Sequence, residues 1–362
     1  MVFTKTIKWF LNQTTLSTDY KNENNCLDKP SYNSFQKFYY FLNNSSKSFS
    51  IVQQIQKNSP KITQMKQILV LPGGGAKGYL QLSVLKYIES EIIKKPISEY
   101  FDLIVGTSVG GLNASVLASG KVSCAKYFSD FETISSKTFT KNYLLRTPLI
   151  RPIYSRRHIL KYAENLFGDS LMNSLKTKLI LTSVSELDER THFFKSWESK
   201  DGREKICDVV PRTFAAPYFF GHVVDEENRQ VWLDGATGLN NDPTDFAYIE
   251  AGRQDWDSFR ILVVGTGFSK ETRQTFHEAR GNSQLKQILT YLSPISGGLA
   301  RTQFDEQQTN RYSELAANNP NFKYDYINIE IPKELDIMDH ADVDEYDFYA
   351  DLMKTKILRV DF

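Results

Sequence analysis

The sequence predicts an α/β protein with a mostly parallel central sheet, and three observations carry that prediction. Short apolar runs next to glycine recur along the chain, at Gln67–Leu71, Phe101–Val105 and Arg260–Gly265. The first two are each followed by a segment that reads as a helix, one with apolar residues every three or four positions and one rich in small residues. The runs are apolar on both faces, as strands are when helices cover the sheet on two sides.

Taken in chain order, residues 1–65 read as a polar, partly helical N-terminal extension, rich in Asn, Ser, Lys and Gln. Within it Val2, Phe3, Ile7, Phe10 and Leu11 share one helical face flanked by Lys5 and Lys8, suited to packing on the protein body or to a membrane or partner surface. Residues 66–362 form the main domain, with a helical extension after about residue 270. The strand Gln67–Leu71 runs into the loop Pro72-Gly73-Gly74-Gly75-Ala76-Lys77-Gly78, then into a helix marked by Leu82, Leu85, Ile88 and Ile92. The strand Phe101–Val105 leads into Gly106-Thr107-Ser108-Val109-Gly110 and a small-residue helix from Val109 to Gly120. Further strands are expected at Lys178–Val184, Thr191–Trp197, Gln230–Leu233 and Arg260–Gly265, the third closing a hairpin-like stretch from His222 to Gly235.

Composition excludes several classes. Lys and Arg total 44 against 43 Asp and Glu, a net charge of +1 that argues against a nucleic-acid polymer as partner. Cys26, Cys124 and Cys207 are odd in number and never spaced as a metal or disulfide framework, which suits a reducing compartment. No window approaches the roughly 18 apolar residues of a membrane span, and Trp9–Leu11 is too short for a secretory core. A cytoplasmic or peripheral membrane protein is expected.

The glycine loop has two chemical readings. Gly73-x-Gly75-x-x-Gly78 after a strand fits a dinucleotide fingerprint, but that needs an acid about 20 residues on at the end of the next strand. Glu89 and Glu91 fall inside the helix instead, and Lys77 is followed by Gly78, so the loop is not a Walker A. Alternatively, its backbone N–H groups serve an oxyanion, which hydrolysis of an ester by a serine requires. Ser108, on a G-x-S-x-G turn between strand and helix, is then the nucleophile; taken alone it could equally cap the helix. Asp234, at the end of an apolar strand and before Gly235, is the candidate base. His158, His192 and His222 carry no triad signature, while His277 and His340 follow Asp234 in the order of a Ser-Asp-His triad, which leaves that alternative open.

Three motifs in order, Gly73–Gly78, Gly106–Gly110 and Asp234–Ala236, together resemble the patatin-like phospholipases. Pro211–Phe220, Val263–Gly267 and, with one inserted residue, Asn240–Pro243 are similar to further family segments. The resemblance covers roughly Gln67 to Gly267. It implies a three-layer α/β/α fold and a lipid acyl hydrolase of phospholipase A type, without cofactor or metal. Ser108 is implied as nucleophile and Asp234 as base, with the amides of Gly73, Gly74 and Gly75 as oxyanion hole. Lys77, Gly78, Gly106, Gly110 and Gly235 support the motifs. Lys77 stands where Arg is usual and Pro72 where Asp often stands, and Lys lacks the planar fork for a bidentate contact. Membrane phospholipid is the implied substrate. Bacterial members include toxins delivered into host cells and enzymes switched on by host proteins or nucleotide second messengers, so either is an implied activator.

Overall fold

A computed structural model describes residues 65–140, 152–217, 219–238, 241–269, 298–339 and 343–362, with backbone alone at 298–305. The N-terminal extension, Cys26, Tyr218, Asn240, His277 and His340 therefore lie outside the described residues. In chain order the main elements are β1 (Lys66–Leu71), α1 (Gly78–Tyr87), α2 (Ile97–Tyr100), β2 (Leu103–Gly106), α3 (Val109–Ser119), α4 (Cys124–Thr138) and α5 (Arg157–Phe167). They continue with β3 (Lys178–Ser185), β4 (Arg190–Lys195), α6 (Ile206–Thr213), β5 (Val223–Asp225), β6 (Gln230–Asp234) and α7 (Thr244–Arg253). The last are β7 (Phe259–Val264), α8 (Gly298–Asn318), β8 (Phe322–Ile327) and α9 (Asp344–Ile357).

The strands form one sheet in the order β5-β6-β3-β2-β1-β7-β8, with β4 also paired to β3. The run from β3 through β2, β1 and β7 to β8 is parallel, and the β5–β6 hairpin and β4 join it antiparallel. Because side chains alternate along a strand, each central strand feeds two cores. Leu69, Leu71, Ile104, Leu262 and Val264 pack on one face with α1, α3, α4, α6 and α9; Ile68, Val70, Leu103, Val105, Ile261 and Val263 pack on the other with α7 and α8. The sheet between two helical layers is the expected α/β/α sandwich.

The region after about residue 270 departs from the helical extension read from sequence. α8 and α9 are helices, but β8 lies between them and pairs with β7 over Phe259↔Phe322 to Val264↔Ile327. β8 edges the sheet, so only its ends are buried, and in place of the continuous apolar run of the central strands it alternates Phe322, Tyr324 and Tyr326 with Lys323 and Asp325. The acidic stretch from Asp344 is amphipathic: Tyr346, Ala350, Met353 and Ile357 are buried while Asp344, Glu345 and Asp351 stay in solvent.

α1 gives way to a π-helical turn at Ile88–Ile92, which carries Glu89. The Glu89 carboxylate accepts from the N–H of Ile97 at 3.0 Å and of Cys124 at 2.8 Å, at the start of α2 and α4. One of the two acids near the dinucleotide spacing is thus engaged in holding two helix N-termini, where a negative charge is favourable. Glu89→Ala is expected to cost about 2 kcal/mol, read as a lower chemical-denaturation midpoint at unchanged slope. A midpoint equal to wild type would mean that the carboxylate contributes nothing there.

Candidate active site

Strand register brings the nucleophile candidate and the base candidate to one level. Gly106 pairs with Leu181 across β2–β3, and Ser183 pairs with Asp234 across β3–β6. Ser108, two residues past Gly106, therefore comes level with Asp234. The Thr107 and Thr182 hydroxyls bond across the gap at 2.7 Å. Ser108 Oγ donates to Asp234 Oδ2 at 2.7 Å, and both residues are buried, 5% and 3% exposed.

Ser108 sits at φ 56°, ψ −127°, a backbone conformation costly for a residue with a side chain. The surroundings impose it. Its N–H donates to Thr213 Oγ1 at 3.0 Å, and its carbonyl accepts from Leu112 N–H at 3.0 Å in the first turn of α3. The turn fits because a Cβ on Gly106 would lie 2.4 Å from the Gly110 carbonyl oxygen, and one on Gly110 would lie 2.0 Å from that of Leu71. The Asp234 carboxylate is equally fixed: Oδ1 accepts from Ala236 N–H at 2.8 Å, and the Asp234 N–H donates to the Ala215 carbonyl at 3.0 Å. Gly235 lies against Thr182, and Gly78 against Val109 and Phe131, with no room for a Cβ at either.

The glycine loop corrects one expectation. The Gly73 N–H, read as an oxyanion donor, donates to the Asn241 carbonyl at 3.1 Å, because the segment after Asp234 folds back over the loop. The Gly73 carbonyl accepts from Asn241 Nδ2 at 3.3 Å and Thr266 Oγ1 at 3.1 Å. Gly74 caps and Gly75 opens the 3-10 segment Gly75–Lys77, so that segment does not use their N–H groups, and no other described residue takes them. Gly75 adopts φ 63° with Met338 O against its Cα, and the next amide, Ala76 N–H, donates to that same oxygen at 2.8 Å.

Two positions that sequence left unexplained have structural partners. The Pro72 carbonyl accepts from Gln81 Nε2 at 2.7 Å; Gln81 also donates to the Val264 carbonyl and accepts from Asn113, which Tyr127 supports. Lys77 is buried, ion-paired with Asp336 and within 3.4 Å of the Gly267 carbonyl. Its charge anchors the loop to the segment around residue 336, a point contact that needs no planar fork. Thr213, Asn241, Asp336 and Met338 are the contributors that sequence reasoning missed. Asn241 lies in a motif that was read, but nothing in the sequence flags Met338.

Ser108 and Gly75 line an apolar cleft walled by side chains including Leu112, Phe131, Phe214, Phe219 and Phe220. His158 and His222 are exposed, and His192 lies 3.4 Å from Asp201 on β4. Burial pushes the Cys124 thiol up, with the Glu89 charge adding to it, and burial followed by the Asp208 charge raises Cys207; neither is primed as a thiolate. Among the described residues no helix is long and apolar enough to cross a membrane.

Residues 69–248 match the family model of patatin-like phospholipase. The chain is similar to a cGAMP-activated phospholipase of Escherichia coli, 31% identical over 55% of this chain and 62% of that one. It is likewise similar to one of Vibrio cholerae, 31% identical over 58% of this chain and 67% of that one. It thus spans about two thirds or less of these relatives. Among solved structures it is similar to VipD from Legionella pneumophila, with TM-score 0.39 and 12% identity over 81% of this chain and 67% of that one.

Proposed function

Because the chain belongs to the patatin-like phospholipase family, we propose that it hydrolyses fatty-acyl esters of membrane glycerophospholipids or lysophospholipids, with Ser108 as nucleophile and Asp234 as base. The observation that carries this reading is the 2.7 Å contact from Ser108 Oγ to Asp234 Oδ2 beside the apolar cleft.

In the first half-reaction Ser108 Oγ attacks the ester carbonyl carbon as its proton passes to Asp234. The carbonyl oxygen becomes an oxyanion that accepts from the Gly74 and Gly75 N–H groups, beside the N-terminus of α3, whose dipole favours negative charge. Collapse of the intermediate breaks the bond to the leaving alcohol, which takes the proton from Asp234, and an acyl-Ser108 ester remains. In the second half Asp234 takes a proton from water, the hydroxide attacks the acyl carbon, and the proton returns to Ser108 Oγ as fatty acid leaves. The substrate lies in a bilayer, so the enzyme works at a membrane surface. The relatives named as cGAMP-activated make a nucleotide second messenger the activator to try.

The test is fatty-acid release from mixed phospholipid vesicles, read by mass spectrometry, with and without cGAMP. Release that rises with cGAMP supports both parts. Full release without it removes the activator, and none under any condition overturns the hydrolase. Replacing His277 and His340 by Ala separates the dyad from a Ser-Asp-His triad, since only a triad collapses.

A further inference from the structure

Between Glu132 and Glu164 the chain carries seven Lys or Arg and no Asp or Glu, in a sequence whose totals are 44 basic against 43 acidic residues. A solvated surface ordinarily intersperses the two signs, so a one-sided stretch of this length sets up a local positive field. Lys137, Arg156, Arg157 and Lys161 are its members among the described residues; Arg156 is half-buried and the other three are exposed. None of the four is ion-paired with a described residue. Two acids close by in the fold are already engaged: Asp130 by Lys126 and the Tyr162 hydroxyl, and Asp339 by the Tyr154 hydroxyl.

These cations stand on the two helices that wall the cleft. The rings of Phe139 and Tyr154 meet edge-on at 5.3 Å, which brings the end of α4 beside the start of α5. Thr138 and Phe139, next to Lys137, and Ile159, between Arg157 and Lys161, line the cleft. Arg156 Nη2 donates to the His222 carbonyl at 2.9 Å, two residues past Phe220, which lines it too. Apolar side chains are exposed in the same neighbourhood. Leu160, 37% exposed, follows Ile159, and Ile337, 47% exposed, precedes Met338, another cleft residue. Unpaired cations with exposed apolar side chains among them suit a charged interface that has hydrocarbon beneath it.

We propose that the surface formed by Lys137, Arg156, Arg157 and Lys161, with Leu160 and Ile337, docks the protein on a bilayer containing anionic phospholipid. The lipid phosphates supply the counter-charge that the protein withholds, and the two apolar side chains enter the headgroup boundary beside the cleft. The inference rests on the acyl-hydrolase reading for its choice of lipid over another polyanion, and it assigns the membrane contact of that site to named residues.

The experiment measures sedimentation of full-length Ser108→Ala protein, which leaves the lipid intact, with vesicles of phosphatidylcholine alone or mixed with phosphatidylglycerol. Binding is expected to favour the anionic vesicles, and raising the salt from about 0.1 M to about 1 M, which shortens the screening length from about 10 Å to about 3 Å, should remove most of that preference. Adding Lys137→Gln/Arg157→Gln/Lys161→Gln should lower partitioning onto anionic vesicles by roughly 20- to 150-fold, as for three basic residues at an anionic surface. Lys94→Gln/Lys200→Gln/Arg203→Gln is the control: it removes the same charge from exposed residues before β2 and after β4, at the sheet edge opposite Ser108, and should change binding far less. Denaturation midpoints check folding. Equal binding to the two kinds of vesicle, binding to neither, binding retained by the first triple variant, or an equal fall in the control overturns the proposal. Selective binding by a protein that with Ser108 intact hydrolyses no ester would refute the hydrolase alone. Hydrolysis indifferent to anionic lipid and to the three substitutions would refute the docking surface alone.

Discussion

Asp234→Asn is expected to leave the protein folded and to lower acyl-ester hydrolysis by about 10⁴-fold, and Ser108→Ala by at least as much. Asn retains the shape of the side chain and an oxygen for the Ala236 N–H, which now meets Asp234 Oδ1 at 2.8 Å. It cannot take the Ser108 proton, so the hydroxyl stays a weak nucleophile. Ser108→Ala removes the attacking atom outright, and the double variant should be little worse than either alone, because the two act as one unit. Initial rates on a soluble ester, with denaturation midpoints as the folding control, check both. A folded Asp234→Asn enzyme within tenfold of wild type would move the base elsewhere, and His277 and His340 would be the next residues to replace. A fluorophosphonate probe adds an independent readout: it should label wild type and fail on Ser108→Ala.

These two residues were legible in the sequence because sterics leave a mark there. A nucleophile on a tight strand-to-helix turn requires small neighbours, and the contacts facing Gly106 and Gly110 are backbone atoms that cannot move aside. Asp234 was legible for a related reason: it ends a strand whose next residue, Gly235, lies against Thr182. The central strands were legible because Ile68 to Leu71 and Leu103 to Val105 are fully buried on both faces, so no polar residue interrupts them. The two-sided core follows from that same uniformity.

What stayed hidden is contact between distant segments. Composition cannot reveal that the Gly73 amide, 168 positions from Asn241, is already bonded to it, nor that Lys77 meets an acid 259 residues away. An N–H looks the same in a sequence whether it awaits an oxyanion or holds a neighbouring loop. β8 was missed for another reason. An edge strand half in solvent tolerates Lys323 and Asp325 between its aromatic residues, which removes the apolar run that marks the central strands.

Gly110→Ala is expected to destabilise the protein by about 3 kcal/mol or more and to cost most of the activity that remains in the folded fraction. The added methyl would lie 2.0 Å from the Leu71 carbonyl oxygen and 2.6 Å from that of Pro72. Both belong to the end of β1 and the start of the glycine loop, which Gln81 and Asn241 hold by hydrogen bonds. Relief therefore requires α3 to withdraw from the sheet, and Ser108 withdraws with it, lengthening the 2.7 Å contact to Asp234. Gly252→Ala is the matched control. It lies near the end of α7 with nothing within 4 Å of its added Cβ, so helix propensity favours the change by up to about 1 kcal/mol. Chemical denaturation and ester kinetics on the two variants separate the cases. If Gly110→Ala matches wild type in both, the packing of α3 against the end of β1 is not what holds the nucleophile in position.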